Sequence, residues 1–200
     1  MINKFLIFSL LITQFNNSIL FPQEQELSKA YFASGCFWCV ESIYENLNGV
    51  IKVDSGYSGG FKKNPSYMEV ISGKTGHAET IEVVYDSNLI DFETLVKVFF
   101  GSHDPSTLNR QGPDVGTQYR SIAFYKSPKE KKIIEEEIQY LLNKKTYKKI
   151  TTQVIPFKKF YIAEDYHQNY KKKNPYDLYI MRVSAPRINK FKMDFKEIIK

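Results

Sequence analysis

The chain has 200 residues, of which 42% are hydrophobic and 25% charged, the composition of an ordinary globular protein rather than a disordered or fibrous one. A chain of this length can bury a core without a disulfide scaffold, and it contains only 2 cysteines. The net charge of +6 comes from lysines that are scattered or lie beside acidic residues, so we interpret them as solvated faces and expect no nucleic-acid partner.

Residues 1–15 differ in character from the rest of the chain. They contain one early lysine and then an apolar run from Phe5 that is too short to span a bilayer comfortably. This pattern is typical of a secretory signal, so we interpret residues 1–22 as a signal peptide or N-terminal anchor, with cleavage between Asn16 and Gln25. We therefore expect export to the periplasm or membrane anchoring, and a cytoplasmic protein if the segment is not a signal.

Hydrophobic periodicity and turn residues predict alternating strands and helices beyond this segment. The predicted strands are 30–33, 50–53, 80–85, 120–125 and 151–155, and the predicted helices are 36–47, 91–100 and 127–142. Asp91 is a predicted helix cap, and Ser127 followed by Pro128 is a predicted helix start. The glycine-rich segments 55–60 and 101–119 are predicted loops, and loops this long inside a domain are usually functional.

The order of these elements predicts the fold class and the domain limits. Strands alternating with helices indicate an α/β (α+β) two-layer sandwich, with helices packed on a mixed β-sheet and long functional loops. We expect one catalytic domain over residues 28–185 and a Lys-rich C-terminal tail over residues 186–200. We expect the protein to be a monomer.

Both cysteines lie in the segment 35–39 (GCFWC), where the first predicted strand turns into a helix. Unpaired backbone N–H groups and the helix dipole at such a turn favour the thiolate of Cys36, which is the nucleophilic form. Cys39 follows about one helical turn later, close enough for a disulfide with Cys36. The pair indicates redox or metal chemistry, with two buried structural cysteines as the alternative. No further cysteines or suitably spaced histidines complete a zinc site, so we predict no metal.

The blocks GCFWCVE, GYSGG, GHAE, DVGTQYRS and AEDYHQNY resemble the A-type peptide methionine sulfoxide reductases, which act on the S epimer of the sulfoxide. The similarity runs from about Ala30 to Tyr176 and keeps the order and approximate spacing of the motifs. It implies an oxidoreductase that reduces methionine sulfoxide, free or in proteins, and so repairs oxidised proteins. It implies no bound cofactor, with thioredoxin or another dithiol as the electron donor.

The resemblance also implies roles for the residues around the first cysteine. Cys36 is the nucleophile that takes the sulfoxide oxygen and becomes a sulfenic acid. Phe37 and Trp38 form the aromatic wall that receives the methyl group on the substrate sulfur. Their alternative role is plain core packing.

The acid and hydroxyl groups of the implied site come from later blocks. Glu79 is the proton donor to the sulfoxide oxygen, which requires a raised pKa, and the Tyr67 and Tyr119 hydroxyls share that oxygen. Asp114 orients the substrate backbone. We interpret His167, which lies inside a family block, as a structural hydrogen-bond donor outside catalysis.

Cys39 departs from the pattern of many relatives, which have glycine there and resolving cysteines near the C-terminus. No cysteine follows Cys39 in this chain. We therefore expect a disulfide between Cys36 and Cys39 that a thioredoxin-like partner reduces, with direct reduction of the sulfenic acid by an external thiol as the alternative. The other functions considered are a general thiol–disulfide oxidoreductase and a basic secreted protein that binds an acidic surface.

Overall fold

The structure is a computed structural model that describes residues 26–200, so the predicted signal segment 1–22 lies outside the described residues. The strands within that range are β1 (Leu27–Ser34), β2 (Val50–Ser58), β3 (Ala78–Asp86), β4 (Arg110–Gln111), β5 (Asp114–Val115), β6 (Ser121–Tyr125), β7 (Gln153–Pro156) and β8 (Tyr161–Ile162). The α-helices are α1 (Phe37–Tyr44), α2 (Tyr67–Ile71), α3 (Phe92–Gly101), α4 (Pro128–Asn143), α5 (Tyr170–Lys173) and α6 (Ala185–Asp194).

Six of the described strands form one mixed sheet in the order β7-β6-β1-β3-β2-β8. Strand β3 pairs antiparallel with both β1 and β2, and β6 pairs parallel with β7. Strands β4 and β5 form a separate antiparallel pair in the long loop before β6. The mixed sheet with packed helices confirms the predicted α/β class.

The two faces of the sheet are covered differently, because successive side chains of a strand point to opposite sides. Phe32 of β1 is fully buried in the main core, where it stacks on Phe99 of α3. Its neighbour Tyr31 points to the other face and stacks on Phe157 with ring centroids 3.7 Å apart. Helices therefore cover one face, and the aromatic segment after β7 covers the other.

The local start signals of two helices are confirmed. The Asp91 carboxylate accepts the backbone N–H of Thr94 at 2.7 Å, which satisfies one of the free donors at the start of α3. The Ser127 hydroxyl accepts the N–H of Glu130 at 3.2 Å at the start of α4. The first helix, by contrast, ends at Tyr44 rather than Leu47, because Leu47 pairs with Ile199 in a β-bridge instead.

The prediction of a loop at residues 55–60 was wrong for its first four residues, since β2 continues to Ser58. The continuation pairs with β3 as far as Ser58 on one side and with β8 at Gly56 and Tyr57 on the other. A Cβ atom at Gly56 would lie 2.4 Å from the carbonyl oxygen of Tyr161. Glycine is therefore the residue that lets β8 approach and extend the sheet.

Residues 186–200, which we set apart as a tail, are ordered and pack on the domain. A π-helical turn, Ile180–Ser184, continues directly into α6, where Ile188 and Phe191 are each 1% exposed. Near the chain end, the backbone N–H of Lys200 donates to the carbonyl of Asn46 at 2.8 Å. The main core thus includes this segment. Within residues 26–200, every helix is too short or too polar to span a bilayer.

Candidate active site

Cys36 occupies the sharp turn between β1 and α1, as predicted. It is the N-cap residue of α1, and its carbonyl accepts the N–H groups of Cys39 and Val40 at 3.2 and 3.4 Å. Gly35 precedes it with φ of 86°, a left-handed conformation that favours glycine, and a Cβ there would lie 2.6 Å from the Gln111 side chain. The loop before β6 therefore packs directly against the turn that presents the thiol.

The two thiols form one coupled, buried pair, and both are free. Burial raises the pKa of the Cys36 thiol, and the hydrogen bond between the two thiols raises it further, whereas a hydrogen bond with Tyr179 lowers it. The same thiol–thiol hydrogen bond lowers the pKa of Cys39 to about 6. Burial thus outweighs the helix N-terminus, which by itself favours the Cys36 thiolate. These opposite directions favour the thiolate of Cys39 over that of Cys36.

Glu79 lies near the start of the internal strand β3, beside this turn, and it is buried. It belongs to β3, is 2% exposed, and its Oε2 accepts the backbone N–H of Phe37 at 3.0 Å. Burial raises its pKa to about 8, and the charges of Asp114 and Cys39 act in the same direction, while the Phe37 N–H opposes them. At neutral pH the carboxyl is therefore protonated, the form that a proton donor needs.

Tyr67 and Tyr119 lie close enough to Glu79 to respond to its charge. Tyr67 begins α2, and its backbone N–H donates to Glu164 at 2.9 Å, while Tyr119 ends the 3-10 turn Thr117–Tyr119. Burial and then the Glu79 charge raise the pKa of Tyr67 to about 12 and raise that of Tyr119 as well. Both phenols keep their protons at neutral pH and can donate hydrogen bonds.

Phe37 and Trp38 form an aromatic wall that later residues hold in place. Phe37 is 1% exposed, and Trp38 stacks on Tyr170 with ring centroids 3.7 Å apart. The Trp38 indole N–H donates to Nδ1 of His167 at 3.1 Å. His167 is therefore a hydrogen-bond acceptor toward this wall, and its interpretation as a donor was wrong for this contact.

Asp114 is joined to the cysteines through Tyr179. Asp114 lies in β5, and its Oδ2 accepts the Tyr179 hydroxyl at 2.6 Å, while burial raises its pKa. The Tyr179 ring also meets Trp38 edge-on with centroids 6.0 Å apart. The Asp114 carboxylate is thus held by Tyr179, next to Trp38, rather than free in solvent.

Sequence reasoning missed several residues of this site. Tyr170 and Glu164 belong to the block AEDYHQNY, so the signal was present in the motif but these two residues were assigned no role. Tyr179 lies beyond the last motif, and nothing in its local sequence indicates that it reaches Cys36. The predicted residues Cys36, Cys39, Phe37, Trp38, Glu79, Tyr67, Tyr119 and Asp114 are all brought together.

The arrangement can carry out chemistry at sulfur. It combines a thiol pair, a protonated carboxyl, two phenols that can donate protons to hydrogen bonds, and an apolar wall. Within residues 26–200, no three His, Cys, Asp or Glu side chains cluster in a way that could hold a metal ion. Fold and site together define a thiol-dependent oxidoreductase.

Comparison with known proteins agrees with this class. The profile of the family "Peptide methionine sulfoxide reductase" matches residues 28–198. The enzyme MsrA of Leptospira borgpetersenii is 48% identical over 171 residues, covering 85% of this chain and 97% of its own. MsrA of Saccharolobus solfataricus is 45% identical over 171 residues, covering 86% of this chain and 96% of its own. The chain therefore belongs to the peptide methionine sulfoxide reductase family.

Solved structures show the same relationship. Reduced Mxr1 of Saccharomyces cerevisiae superposes with a TM-score of 0.70 at 35% identity, covering 80% of this chain and 92% of that chain. Mxr1 has also been crystallised in complex with Trx2, and that structure superposes with a TM-score of 0.51 at 26% identity, covering 77% of this chain and 91% of that chain.

Proposed function

We propose that this protein reduces the S epimer of methionine sulfoxide, free or in proteins, through a Cys36 sulfenic acid that Cys39 resolves. The observation that carries the proposal is the buried, protonated Glu79 carboxyl, which accepts the Phe37 N–H within one residue of the nucleophilic thiol. A neutral carboxylic acid next to a thiol and an aromatic wall matches what a sulfoxide needs: a proton for its oxygen, a nucleophile for its sulfur and an apolar seat for its methyl group.

In the first step the Cys36 sulfur attacks the sulfoxide sulfur. The Glu79 carboxyl and the Tyr67 and Tyr119 hydroxyls donate hydrogen bonds to the oxygen, and Glu79 supplies a proton to it. The sulfur–oxygen bond of the substrate breaks, methionine leaves, and the oxygen remains on Cys36 as a sulfenic acid. The thiol proton of Cys36 restores Glu79, so the overall step transfers one oxygen atom from methionine sulfoxide to the thiol.

In the second step Cys39 attacks the Cys36 sulfenic acid. A disulfide bond forms, the sulfur–oxygen bond of Cys36 breaks, and the oxygen takes the proton of the restored Glu79 carboxyl and leaves as water. The location of Cys39 supports this role, because its backbone N–H donates to the Cys36 carbonyl at 3.2 Å and its interaction with Cys36 lowers its pKa to about 6. The attacking group is therefore already in its nucleophilic form.

We further propose that a thioredoxin-like dithiol reduces the resulting disulfide. The existence of a complex between Mxr1 and Trx2 supports a partner of this kind. Two thiols of the partner supply the two electrons and become a disulfide, while Cys36 and Cys39 return to the reduced state.

A single turnover of the fully reduced protein tests the first two steps together. The protein is mixed with racemic N-acetylmethionine sulfoxide without reductant, and methionine product, remaining isomer and free thiols are counted. We expect about one methionine per chain, drawn from the S isomer alone, with both thiols lost. Cys39→Ser is the matched control and should lose one thiol per methionine.

Other outcomes would correct the proposal at identifiable points. One thiol lost per methionine in the unaltered protein would transfer resolution to an external thiol. Intact thiols with no methionine formed would remove the reductase assignment and favour direct chemistry on protein disulfides.

Export is a separate proposal that rests on residues 1–22 of the sequence. Fusing residues 1–25 to a reporter that is active only outside the cytoplasm should yield activity, and a fusion in which charged residues interrupt the apolar run should not. Equal activity of the two fusions would contradict export.

A further inference from the structure

Ser184 is a buried hydroxyl directly against the second cysteine. Its Oγ lies 2.9 Å from the Sγ of Cys39, and Ser184 and Cys39 are both 0% exposed. Ser184 is the last residue of the π-helical turn Ile180–Ser184, and π-turns within helices are often found at functional sites. Pro186 follows two residues later and has no N–H to donate back into the helix. An α-helical hydrogen bond is therefore missing at this point, which favours the wider π-helical turn.

Arg187 stands three residues further along, on the same side of the helix as Ser184. Its Nε donates to the carbonyl of Ser102 at 2.6 Å and its Nη2 to the carbonyl of Ser34 at 2.9 Å. These two backbone carbonyls hold the guanidinium in place without neutralising it. Within residues 26–200 Arg187 forms no ion pair shorter than 4.0 Å, and its charge acts on both Cys39 and Asp114.

We propose that Ser184 and Arg187 are positioning residues that hold Cys39 as a thiolate for attack on the Cys36 sulfenic acid. This inference rests on the proposed role of Cys39 as the resolving cysteine. A thiolate has no proton to donate, so in that state the Ser184 hydroxyl is the donor, and such a bond is stronger to a thiolate than to a thiol. The fixed Arg187 charge favours the anion further.

The other charged groups around Cys39 act against the anion. Asp114 raises the pKa of Cys39, as does burial, and a charge on Glu79 is coupled to it unfavourably. The Cys36 thiol, Arg187 and Ser184 lower that pKa. Once Cys36 has become a sulfenic acid, its thiol hydrogen bond is gone, so Ser184 and Arg187 are the groups that continue to stabilise the thiolate when it must react.

The step they support is balanced within the protein. The Cys39 thiolate supplies the electron pair of the new disulfide bond, and the sulfur–oxygen bond of Cys36 breaks. The departing oxygen takes the proton of the Glu79 carboxyl, which the Cys36 thiol restored in the first step, and leaves as water. The same stabilisation makes Cys39 a good leaving group when a partner thiol later attacks Cys36 in the disulfide, because a thiol of lower pKa leaves faster.

The test uses the full chain in a Cys36→Ser background, where Cys39 is the remaining cysteine. Because Cys39 is buried, its apparent pKa is measured from the ultraviolet absorbance of its thiolate against pH, which needs no reagent to reach the sulfur. Ser184→Ala and Arg187→Met should each raise that pKa by about one unit, which lowers the thiolate fraction about tenfold at acidic pH. Ser184→Thr and Arg187→Lys retain the hydroxyl and the charge and should restore most of the effect.

Ser58→Ala is the matched control variant. It also removes a buried hydroxyl, but this hydroxyl donates to the Lys159 carbonyl at 2.8 Å rather than bonding to a thiol. In chains that retain Cys36, we then measure the rate at which the second thiol disappears after methionine is formed in a single turnover. That rate should fall about tenfold in Ser184→Ala at low pH and recover at high pH, where Cys39 ionises without help.

A purely structural role for Ser184 and Arg187 would slow thiol loss equally at every pH and leave the thiolate absorbance profile unshifted, which would overturn the inference. Absorbance profiles that coincide with that of Ser58→Ala, in a protein that loses two thiols per methionine, would overturn the inference alone. One thiol lost per methionine in the unaltered protein would overturn it together with the proposed role of Cys39.

Discussion

Replacing Glu79 by glutamine separates the stability cost of this carboxyl from its use in the reaction. Glutamine has nearly the same shape and keeps an oxygen that can accept the Phe37 N–H, now 3.0 Å from Oε2. It cannot ionise and cannot deliver a proton. We therefore expect a variant that is more stable than the unaltered protein at alkaline pH and almost inactive.

The magnitude follows from the pKa of Glu79. Burial, the largest cause, raises that pKa from 4.5 to about 8, a rise that corresponds to about 5 kcal/mol. The folded state holds the proton more tightly than the unfolded state. The contribution of this proton to the free energy of unfolding is therefore complete below pH 4.5, falls as the pH rises, and is lost above about pH 8. Between about pH 6 and pH 9 the free energy of unfolding falls by about 3 kcal/mol from this cause.

The assay is urea unfolding of the reduced protein at about pH 6 and pH 9. Over this range the free energy of unfolding should fall by about 3 kcal/mol less in Glu79→Gln than in the unaltered protein, since the two proteins share all other titrating groups. Glu136→Gln is the control, because its side chain is 64% exposed and the substitution removes no buried charge. If the free energy of unfolding of Glu79→Gln and of the unaltered protein change in parallel with pH, the argument from burial is refuted.

The same variant should form methionine about 10²–10⁴ times more slowly in a single turnover, the usual contribution of a general acid. In the unaltered protein the rate of methionine formation should fall as the pH rises through about 8, because Glu79 loses its proton there. A rate within threefold of the unaltered protein at about pH 7 would contradict the role of Glu79 as proton donor.

Three further substitutions test the pocket and the fold. Trp38→Leu should lower kcat/KM for N-acetylmethionine sulfoxide about tenfold, since it removes the aromatic face that receives the methyl group, and an unchanged kcat/KM would contradict the pocket. Phe191→Ala should lower the free energy of unfolding by about 3–5 kcal/mol in urea, because Phe191 is 1% exposed; a loss under about 1 kcal/mol would mean that α6 is peripheral. Gly56→Ala should cost about 2 kcal/mol in the same assay, because a Cβ would lie 2.4 Å from the Tyr161 carbonyl oxygen, and full stability would contradict that close approach.

Local signals in the sequence predicted the elements whose causes are local. The caps at Asp91 and Ser127 depend on residues three positions away, and both form as expected. The buried alternation of Ile81 and Val83 depends on the period of a strand and correctly indicated β3. The presence of Cys36 at a strand-to-helix turn followed from the same patterns.

Features created by distant parts of the chain were not predictable in this way. The last residues of β2 pair with the start of β3 and with β8, whose residue Tyr161 lies far along the chain from Tyr57. The charge distribution of the thiol pair depends on burial and on Arg187, and neither can be read from the segment around Cys36. The contact of Tyr179 with Asp114 joins two segments that have no common motif.

The chain contains a single tryptophan, and that residue is Trp38, stacked on Tyr170 and hydrogen-bonded to His167. Tryptophan fluorescence therefore comes from one indole ring, between the two cysteines in the sequence, and no other tryptophan in the chain contributes to it. Neighbouring sulfur in different oxidation states and a sulfoxide against the ring each change the surroundings of that indole. Intrinsic fluorescence thus offers an unlabelled, real-time optical record of pocket occupancy and of the redox cycle, in a protein that needs no dye and no engineered probe.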